Sequence, residues 1–464
     1  MGVDEPMLST KTKRPTGGGL FPATPKETVV FLQQAEKENT RLAFSTAEAT
    51  LLATPRWLDC GLLNAIRHEQ PDDFMVRVES GVTFGMLDAV LTPFNQAFSL
   101  SYPAHFKVGE VLAEDRPALE TGLRGYPRDY VLKTQIATVD GQLTTSGADV
   151  VKNVTGYDLH KLYVGSQNAF GVITAATLKI MARPASKRHA LIQGLDLSLA
   201  QLIIQALQAA SFPLTACELF QSHLFQVETT GLEASWLLFI GLAGEVSLVE
   251  EAGVRLEALI GKDFSLHSDK ALTLHWLDET AEVSQAIPEN HAEMLEYIEI
   301  KDKTDALAYS DALQSWTQVS VVVETALPLA HWCSFLEALS DWKALPENWR
   351  FQVRPAAGLV FGLWPDHIAF TIETLAESLA ILQMLAEQHE GFLQIRRLPW
   401  ESLIGAVDDQ EKQAMKMRLL TLTRQFNLPG DSAIRSLLQS LKESYDPNGL
   451  LFSPYLPLNP AVSS

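Results

Sequence analysis

The clearest alternation of hydrophobic and polar positions runs from Tyr130 to Ile180. Residues 131–139 have the two-residue period of a half-buried strand. Asp140-Gly141 follows, a dipeptide that turns a hairpin tightly because glycine accepts positive φ, and residues 142–145 make the return strand. Leu159, Leu162 and Tyr163 form the apolar side of a short helix, with Asp158 or a neighbour as its cap and Gly165 as its end. Residues 174–180 read as another strand. Upstream, residues 25–38 predict a helix with an early proline, an acidic first turn and apolar Val29, Val30, Phe31 and Leu32. Residues 41–44 and 74–78 predict strands. Residues 83–91 predict a helix with Phe84, Leu87, Val90 and Leu91 as its apolar positions.

Beyond Arg183-Pro184 the texture changes. Helical patterns cover residues 195–210, 245–260, 327–339 and 371–388. Strand patterns cover 236–242, 319–324, 358–363 and 392–396. Helices and strands that alternate through local links predict an α+β layer of ferredoxin-like units. Residues 265–317 are polar and charged, and read as a long excursion or a partner surface.

Composition narrows the function classes. The formal net charge is −20, which opposes a nucleic-acid partner, because such binding draws most of its affinity from phosphate neutralisation. The three cysteines, Cys60, Cys217 and Cys333, are widely spaced, a pattern of buried free thiols in a reducing compartment and too few for an iron–sulfur cluster. No apolar run reaches the roughly 20 residues of a spanning helix. The chain reads as cytoplasmic, with membrane contact only through a partner. Residues 1–20, rich in lysine, proline and glycine, are expected to be a disordered tail.

The segment Val150-Val151-Lys152-Asn153-Val154-Thr155-Gly156-Tyr157-Asp158-Leu159 sets a cation, an amide, a hydroxyl and a glycine within five positions. With Lys161-Leu162-Tyr163-Val164-Gly165-Ser166 and Gly171-Val172-Ile173-Thr174 after it, it resembles the FAD-binding domain of the vanillyl-alcohol oxidase / p-cresol methylhydroxylase superfamily, and within it the E-type subunits of bacterial glycolate oxidase. Arg128-Asp129-Tyr130-Val131-Leu132, Glu79-Ser80-Gly81-Val82-Thr83 and the tail Asp446-Pro447-Asn448-Gly449 extend the likeness over most of residues 24–460.

This resemblance implies an α+β fold: a two-subdomain FAD-binding domain over residues 21–185, an α+β ferredoxin-like cap over 186–430, and a segment at 431–464 that returns to the first domain. It implies FAD, held without a covalent link, with contacts from Ser45, Thr46, Gly81, Val82, Gly109, Lys152, Asn153, Gly156, Tyr157, Gly171, Val172 and Ile173. It also implies a small 2-hydroxy acid as substrate. The implied partners are other glycolate oxidase-like chains, a D-type flavin subunit and an F-type iron–sulfur subunit.

Two loops depart from the family pattern. The phosphate loop carries Ser45, Thr46 and Thr50 where the family has glycines, and Glu48 adds negative charge there. Like charges about 4 Å apart cost roughly 1 kcal/mol in water and about 4 at an effective dielectric near 20. The family's double glycine is Gly109-Glu110 here.

In the cap, Arg350, Arg354, Arg396 and Arg397 are candidates to hold a substrate carboxylate, and each is also an ordinary surface arginine by position. His331, His367 and His389 read as structural or exposed. The family's histidine signature reads Arg354-Pro355-Ala356-Ala357-Gly358-Leu359-Val360 here, so no metal and no catalytic base are assigned. Two readings stay open: an FAD-dependent oxidoreductase subunit of a glycolate oxidase-like complex, and a non-catalytic relative that keeps the fold for assembly or regulation.

Overall fold

A computed structural model describes residues 19–44, 56–68, 71–150, 158–221, 236–264, 272–277, 313–314, 319–340, 342, 346, 348–365, 371–398, 409–427 and 432–452. The chain forms two compact units. The first comprises Met1–Pro117, Tyr126–Arg183 and Pro399–Ser464, and the second Ala118–Gly125 and Pro184–Leu398. The expected tail lies outside the described residues except at its end, where Gly19–Leu20 is a strand. The excursion at 265–317 is described only at 272–277 and 313–314.

The first unit contains two layers. In the smaller, strand β1 (Gly19–Leu20) pairs in parallel with β2 (Trp57–Leu58). Single parallel bridges join Ala43 to Trp57 and Leu42 to Leu451, so the strand expected at 41–44 is reduced to two bridging residues. Helix α1 (Pro25–Lys37) packs here. The Thr24 hydroxyl caps it by accepting from the Glu27 N–H, and Pro25 starts it where no N–H is needed. Its buried positions are Thr28, Leu32 and Ala35, the i, i+4, i+7 stripe, whereas Val30 points outward. The apolar run 29–32 therefore spreads over two faces.

The larger layer is an antiparallel sheet of β3 (Ile66–Arg67), β4 (Met75–Glu79), β8 (Val172–Ala182), β6 (Val131–Ala137) and β7 (Leu143–Gly147) in that order, with β5 (Gln96–Phe98) paired to the end of β8. The β6–β7 hairpin turns as expected: Gly141 has φ +84, and its N–H donates to the Thr138 carbonyl at 3.1 Å. Helices α2 (Phe84–Leu91), capped by the Thr83 hydroxyl, and α3 (Val108–Glu114) contribute to one apolar core with the sheet. There Phe84, Leu87, Val108, Val111 and Leu112 meet Val76, Val78, Ala176 and Leu178. Helix α4 (His160–Tyr163) buries His160 and Tyr163 but leaves Leu159 exposed, so the apolar side expected from Leu159 is rotated.

The second unit is one antiparallel sheet of eight strands built from two βαββαβ halves. The first half runs β9 (Ser186–Leu195), α5 (Leu197–Ala209), β10 (Leu214–Gln221), β11 (Trp236–Gly244), α6 (Val246–Ala258) and β12 (Thr273–Leu277). The second runs β13 (Val319–Ala326), α7 (Trp332–Ser340), β14 (Arg350–Arg354), β15 (Leu359–Pro365), α8 (Ile372–Gln388) and β16 (Phe392–Arg397). Strand order β12-β9-β11-β10 and β14-β15-β13-β16 is the same in each half, read in opposite directions, and β10 joins β14 at the middle. The ferredoxin-like expectation holds. Strands β9, β10, β12 and β14 were not expected from the pattern.

Two helices not expected from the sequence, α9 (Asp409–Asn427) and α10 (Ser432–Tyr445), belong to the first unit. Leu438, Leu441 and Tyr445 of α10 pack on the core of the larger sheet. Buried Lys442 donates from Nζ to Asp446 (2.7 Å) and to the carbonyls of Ala169 and Leu451 (2.9 Å each). Asp446 accepts in turn from the N–H groups of Leu450 and Leu451, both at 2.8 Å. Every donor of the ammonium is used, the condition for a buried charge to be tolerated. Lys442→Met strands the Asp446 carboxylate in the interior, and breaking a buried pair in this way costs about 3–5 kcal/mol. Thermal and urea unfolding of the full chain should therefore show the first unit melting early, and an unchanged midpoint would refute the anchoring role.

Candidate functional site

Three loops of the first unit meet where β4 ends. The Gly81 N–H donates to the Leu63 carbonyl at 2.7 Å, the Gly109 N–H to the Ser80 carbonyl at 2.8 Å, and the Val108 N–H to the Val82 carbonyl at 2.8 Å. Ser80 ties the node to β8 by donating its N–H (3.0 Å) and its hydroxyl (3.2 Å) to the Thr174 carbonyl. A Cβ at Gly81 would collide with the Cys60 carbonyl, and one at Gly109 would collide with the Ser80 side chain and lie 2.8 Å from its carbonyl oxygen. Glycine is thus required at both positions so that backbone can lie on backbone.

Of the residues expected to touch a cofactor, the structure brings Gly81, Val82 and Gly109 into this node, and Ile173 adjoins it through Thr174. Val172 is buried elsewhere, with Leu42, Leu58 and Leu450. Gly171 has φ +147, and a Cβ there would lie 2.6 Å from Ile136, so it is a packing glycine too. Its N–H donates to the Asn168 carbonyl, and the Ile173 N–H to the Asn168 side chain. The N–H groups of Gly81, Val82, Gly109, Gly171 and Ile173 are all used internally. These residues shape the loops. Ser45, Thr46, Lys152, Asn153, Gly156 and Tyr157 lie outside the described residues, as does Glu48.

Glu110 has a partner. Lys107 Nζ lies 3.1 Å from its carboxylate and 3.2 Å from Asp59, whose other role is to accept from the Gly61 N–H at 2.8 Å. Burial opposes charge on Lys107, but Glu110 and Asp59 outweigh it and raise its pKa above the usual lysine range. The Glu110 side chain is 60% exposed. Its charge is therefore balanced at the rim of the node. Burial, reinforced by Asp59, pushes the neighbouring Cys60 thiol up to about 12. His160 is buried, its Nδ1 has no hydrogen-bond partner among the described residues, and burial lowers its pKa.

In the second unit two of the four arginine candidates, Arg354 and Arg396, are committed to internal carboxylates, and Arg350 donates to the Trp349 carbonyl at 3.1 Å. Arg354 Nε donates to Glu218 at 3.0 Å, and both side chains are fully buried. Gln352 Nε2 donates to the other oxygen of Glu218 at 2.8 Å and to the Leu313 carbonyl at 3.0 Å. Arg396 grips Glu324 with two bonds, at 2.8 and 3.1 Å. Glu218, Glu324 and Gln352 were missed in the sequence. The available signal was a lone polar residue at an inward position of an otherwise apolar strand. His331 and His389 are also accounted for, through the His389 and Leu385 carbonyls respectively, and His367 lies outside the described residues. Among the described residues no three His, Cys, Asp or Glu side chains gather as a metal ligand set. None of the described helices is long and apolar enough to cross a membrane.

No family model matches the chain. It is similar to glycolate oxidase subunit GlcD of Bacillus subtilis, 28% identical over 225 residues that cover 46% of this chain and 47% of that protein. It is similar also to glycolate oxidase subunit GlcE of Escherichia coli, 30% identical over 28% of this chain and 38% of that protein. The structure superposes on p-cresol methylhydroxylase with a TM-score of 0.63 at 14% identity, over 95% of this chain and 89% of that one. The 4-ethylphenol oxidase of Gulosibacter chungangensis gives the same score over 93% and 87%. The chain has the p-cresol methylhydroxylase fold and is similar over part of its length to glycolate oxidase subunits. The chain spans less than half the length of either subunit it matches.

Two outcomes follow from this geometry. Gly109→Ala forces the Ser80 loop to move, an overpacking change of about 1–3 kcal/mol. The melting temperature should fall, and an unchanged one would show the node to be loose. Glu218, raised to about 7 by burial against the pull of Arg354, binds more protons folded than unfolded between its ordinary value of 4.5 and 7. Its contribution to stability is then full below about 4.5 and lost as pH rises through 7. Glu218→Gln should flatten that slope in urea titrations, and a parallel slope in the variant would refute the assignment.

Proposed function

We propose that the chain is an FAD-linked oxidoreductase subunit that oxidises glycolate or another small 2-hydroxy acid within a multi-subunit complex. Its partners in this reading are a flavin subunit of the GlcD type and an iron–sulfur subunit. The observation that carries it is joint similarity to glycolate oxidase subunits, to a D-2-hydroxyglutarate dehydrogenase and to D-lactate dehydrogenases on an oxidase fold.

The described residues fit an anionic cofactor in one respect: Lys107 balances Glu110, so the second acidic departure adds no unpaired charge. FAD held there would supply a hydride acceptor for the substrate's alcohol carbon. Ser45 and Thr46 would offer hydroxyl donors to its phosphates, and Lys152, Asn153, Gly156 and Tyr157 would line its ring. Gly81, Val82 and Gly109 would hold the loops behind it. A cation near the ring stabilises the reduced anion, the role assigned to Lys152.

A substrate carboxylate needs a cation, and Arg354 and Arg396 already serve Glu218 and Glu324. That commitment removes these two arginines from the role, and a partner subunit is one source of the cation. It also supports the second reading, a non-catalytic assembly subunit.

Titrating FAD into the purified chain and following visible flavin absorbance tests the first reading. FAD should bind weakly and be released on denaturation. Glu48→Gly should tighten binding more than Glu110→Gly, because Glu110 is already paired. Lys152→Met should lower the flavin potential. Glycolate-dependent dye reduction should require the partners. If neither the parent nor the double glycine variant takes up FAD, the assembly reading replaces the oxidoreductase one.

A further inference from the structure

The stretch Ala118–Gly125 belongs to the second unit, although the chain on either side of it belongs to the first. It forms a strap on one face of the eight-stranded sheet. Leu119 enters the apolar cluster of Ala216, Phe220, Phe239, Leu359 and Phe361, which among the described residues holds nothing from α5, α6, α7 or α8. Register puts Glu218, Gln352 and Arg354 on that same face: Glu218 lies opposite Phe239, Gln352 opposite Phe361 and Arg354 opposite Leu359. Gly122 has φ +92, and a Cβ there would lie 2.3 Å from the Ala356 carbonyl. The strap therefore rests on the turn that follows Arg354. Ala118, Leu119, Glu120 and Thr121 are buried, and the Thr121 hydroxyl accepts from the Ala118 N–H at 2.9 Å.

The strap thus closes a second buried carboxyl, Glu120, over the Glu218–Arg354 pair. Burial holds the Glu218 carboxyl up at about 7, against the pull of Arg354 and with a push from Glu120. Other charged or titratable groups surround this seat. Arg350 shares the face of β14 with Gln352, and Arg124 follows on the strap, where its N–H donates to the Glu120 carbonyl at 2.9 Å. Both arginines keep their charge at any ordinary pH. His189 stacks on Phe239, and burial beside Lys187 lowers it to about 4, so it is already neutral at pH 6. Near neutral pH the charge of this seat therefore changes at a carboxyl group.

We propose that the strap is a pH-sensitive latch, closed on the sheet while Glu218 holds a proton and released as that proton leaves. Under the strap, an ionised Glu218 is a buried charge beside another carboxyl group. With the strap open, water solvates it. The direction follows from linkage: a carboxyl at its ordinary 4.5 when open and about 7 when closed makes opening easier as pH rises. The gain is about tenfold between pH 6 and 8, and about 70-fold between pH 5 and 8. The latch uses none of the residues assigned to FAD and does not depend on the function proposed above.

Hydrogen exchange of the full chain, without FAD, tests it between pH 5 and 8. Peptides spanning residues 118–125 are read by mass spectrometry as protection factors, which divide out the intrinsic rise of exchange with pH. Strap protection should fall about tenfold from pH 6 to 8, while peptides of β9 and β11 in the same unit keep theirs. Glu218→Gln, which cannot ionise, should remove the pH dependence, and Glu120→Gln should shrink it. Gly122→Ala, which crowds the Ala356 carbonyl, should lower protection at every pH and keep the slope. Constant strap protection from pH 6 to 8, or the same fall in Glu218→Gln, overturns the latch. An equal fall in the β9 and β11 peptides also overturns it, because the whole unit is then unfolding. Where Glu218→Gln does not fold, an undiminished fall in Glu120→Gln has the same force.

Discussion

The buried ammonium of Lys442 is the contact through which the first unit closes. It lies near the end of the chain and donates to the Ala169 carbonyl, 273 residues earlier, just before β8. With Asp446 it also fixes the turn that carries Leu450 and Leu451 against α1. The small parallel layer and the large antiparallel layer thus share one hydrogen-bonded pin. A charge survives in that place only because every bond it can make is made. The core around it is apolar and non-directional, so it could not set the register of the returning segment by itself.

The loop node at the end of β4 obeys the same rule without charge. Its backbone donors are spent on neighbouring carbonyls, and two glycines let the strands of loop lie close. Sequence reasoning takes a glycine in a polar loop as an offer of N–H groups to a ligand. At Gly81, Gly109 and Gly171 the N–H groups are used within the protein, and the missing Cβ makes room for the protein itself. The acidic departure at Glu110 is likewise changed by its surroundings. An unpaired carboxylate in sequence becomes a rim ion pair once α3 sets Lys107 three residues ahead of it. Lys107 could have been read as an i, i+3 partner from spacing alone; its second bond, to Asp59, depends on the fold.

In the second unit, polar residues sit where the strand pattern calls for apolar ones. Glu218, Gln352 and Arg354 satisfy one another across the β10–β14 seam between the two repeated halves. Replacing one partner leaves a buried charge, so the three are constrained as a set. Arg354 and Arg396, which looked available for a substrate carboxylate, are held by this kind of pairing.

Period and punctuation in the sequence were enough for the β6–β7 hairpin, for α2, for most helices of the second unit and for its ferredoxin-like alternation. Those elements are set by local spacing of apolar residues and by residues such as Gly141 and Thr83, whose effect reaches only a few positions. The ordered motif around residues 150–159 carried the superfamily likeness. Tertiary structure decided the rest. The strands β9, β10 and β14 have weak patterns because they are buried on both faces or interrupted by paired polar residues, and β12 is a five-residue edge strand with little buried surface. The outward turn of Val30 and Leu159 depends on which face of a helix meets a sheet. The use of Glu110, Arg354 and Arg396 as internal ion pairs depends on partners 3 to 136 residues away. Only folding brings the distant partners within reach.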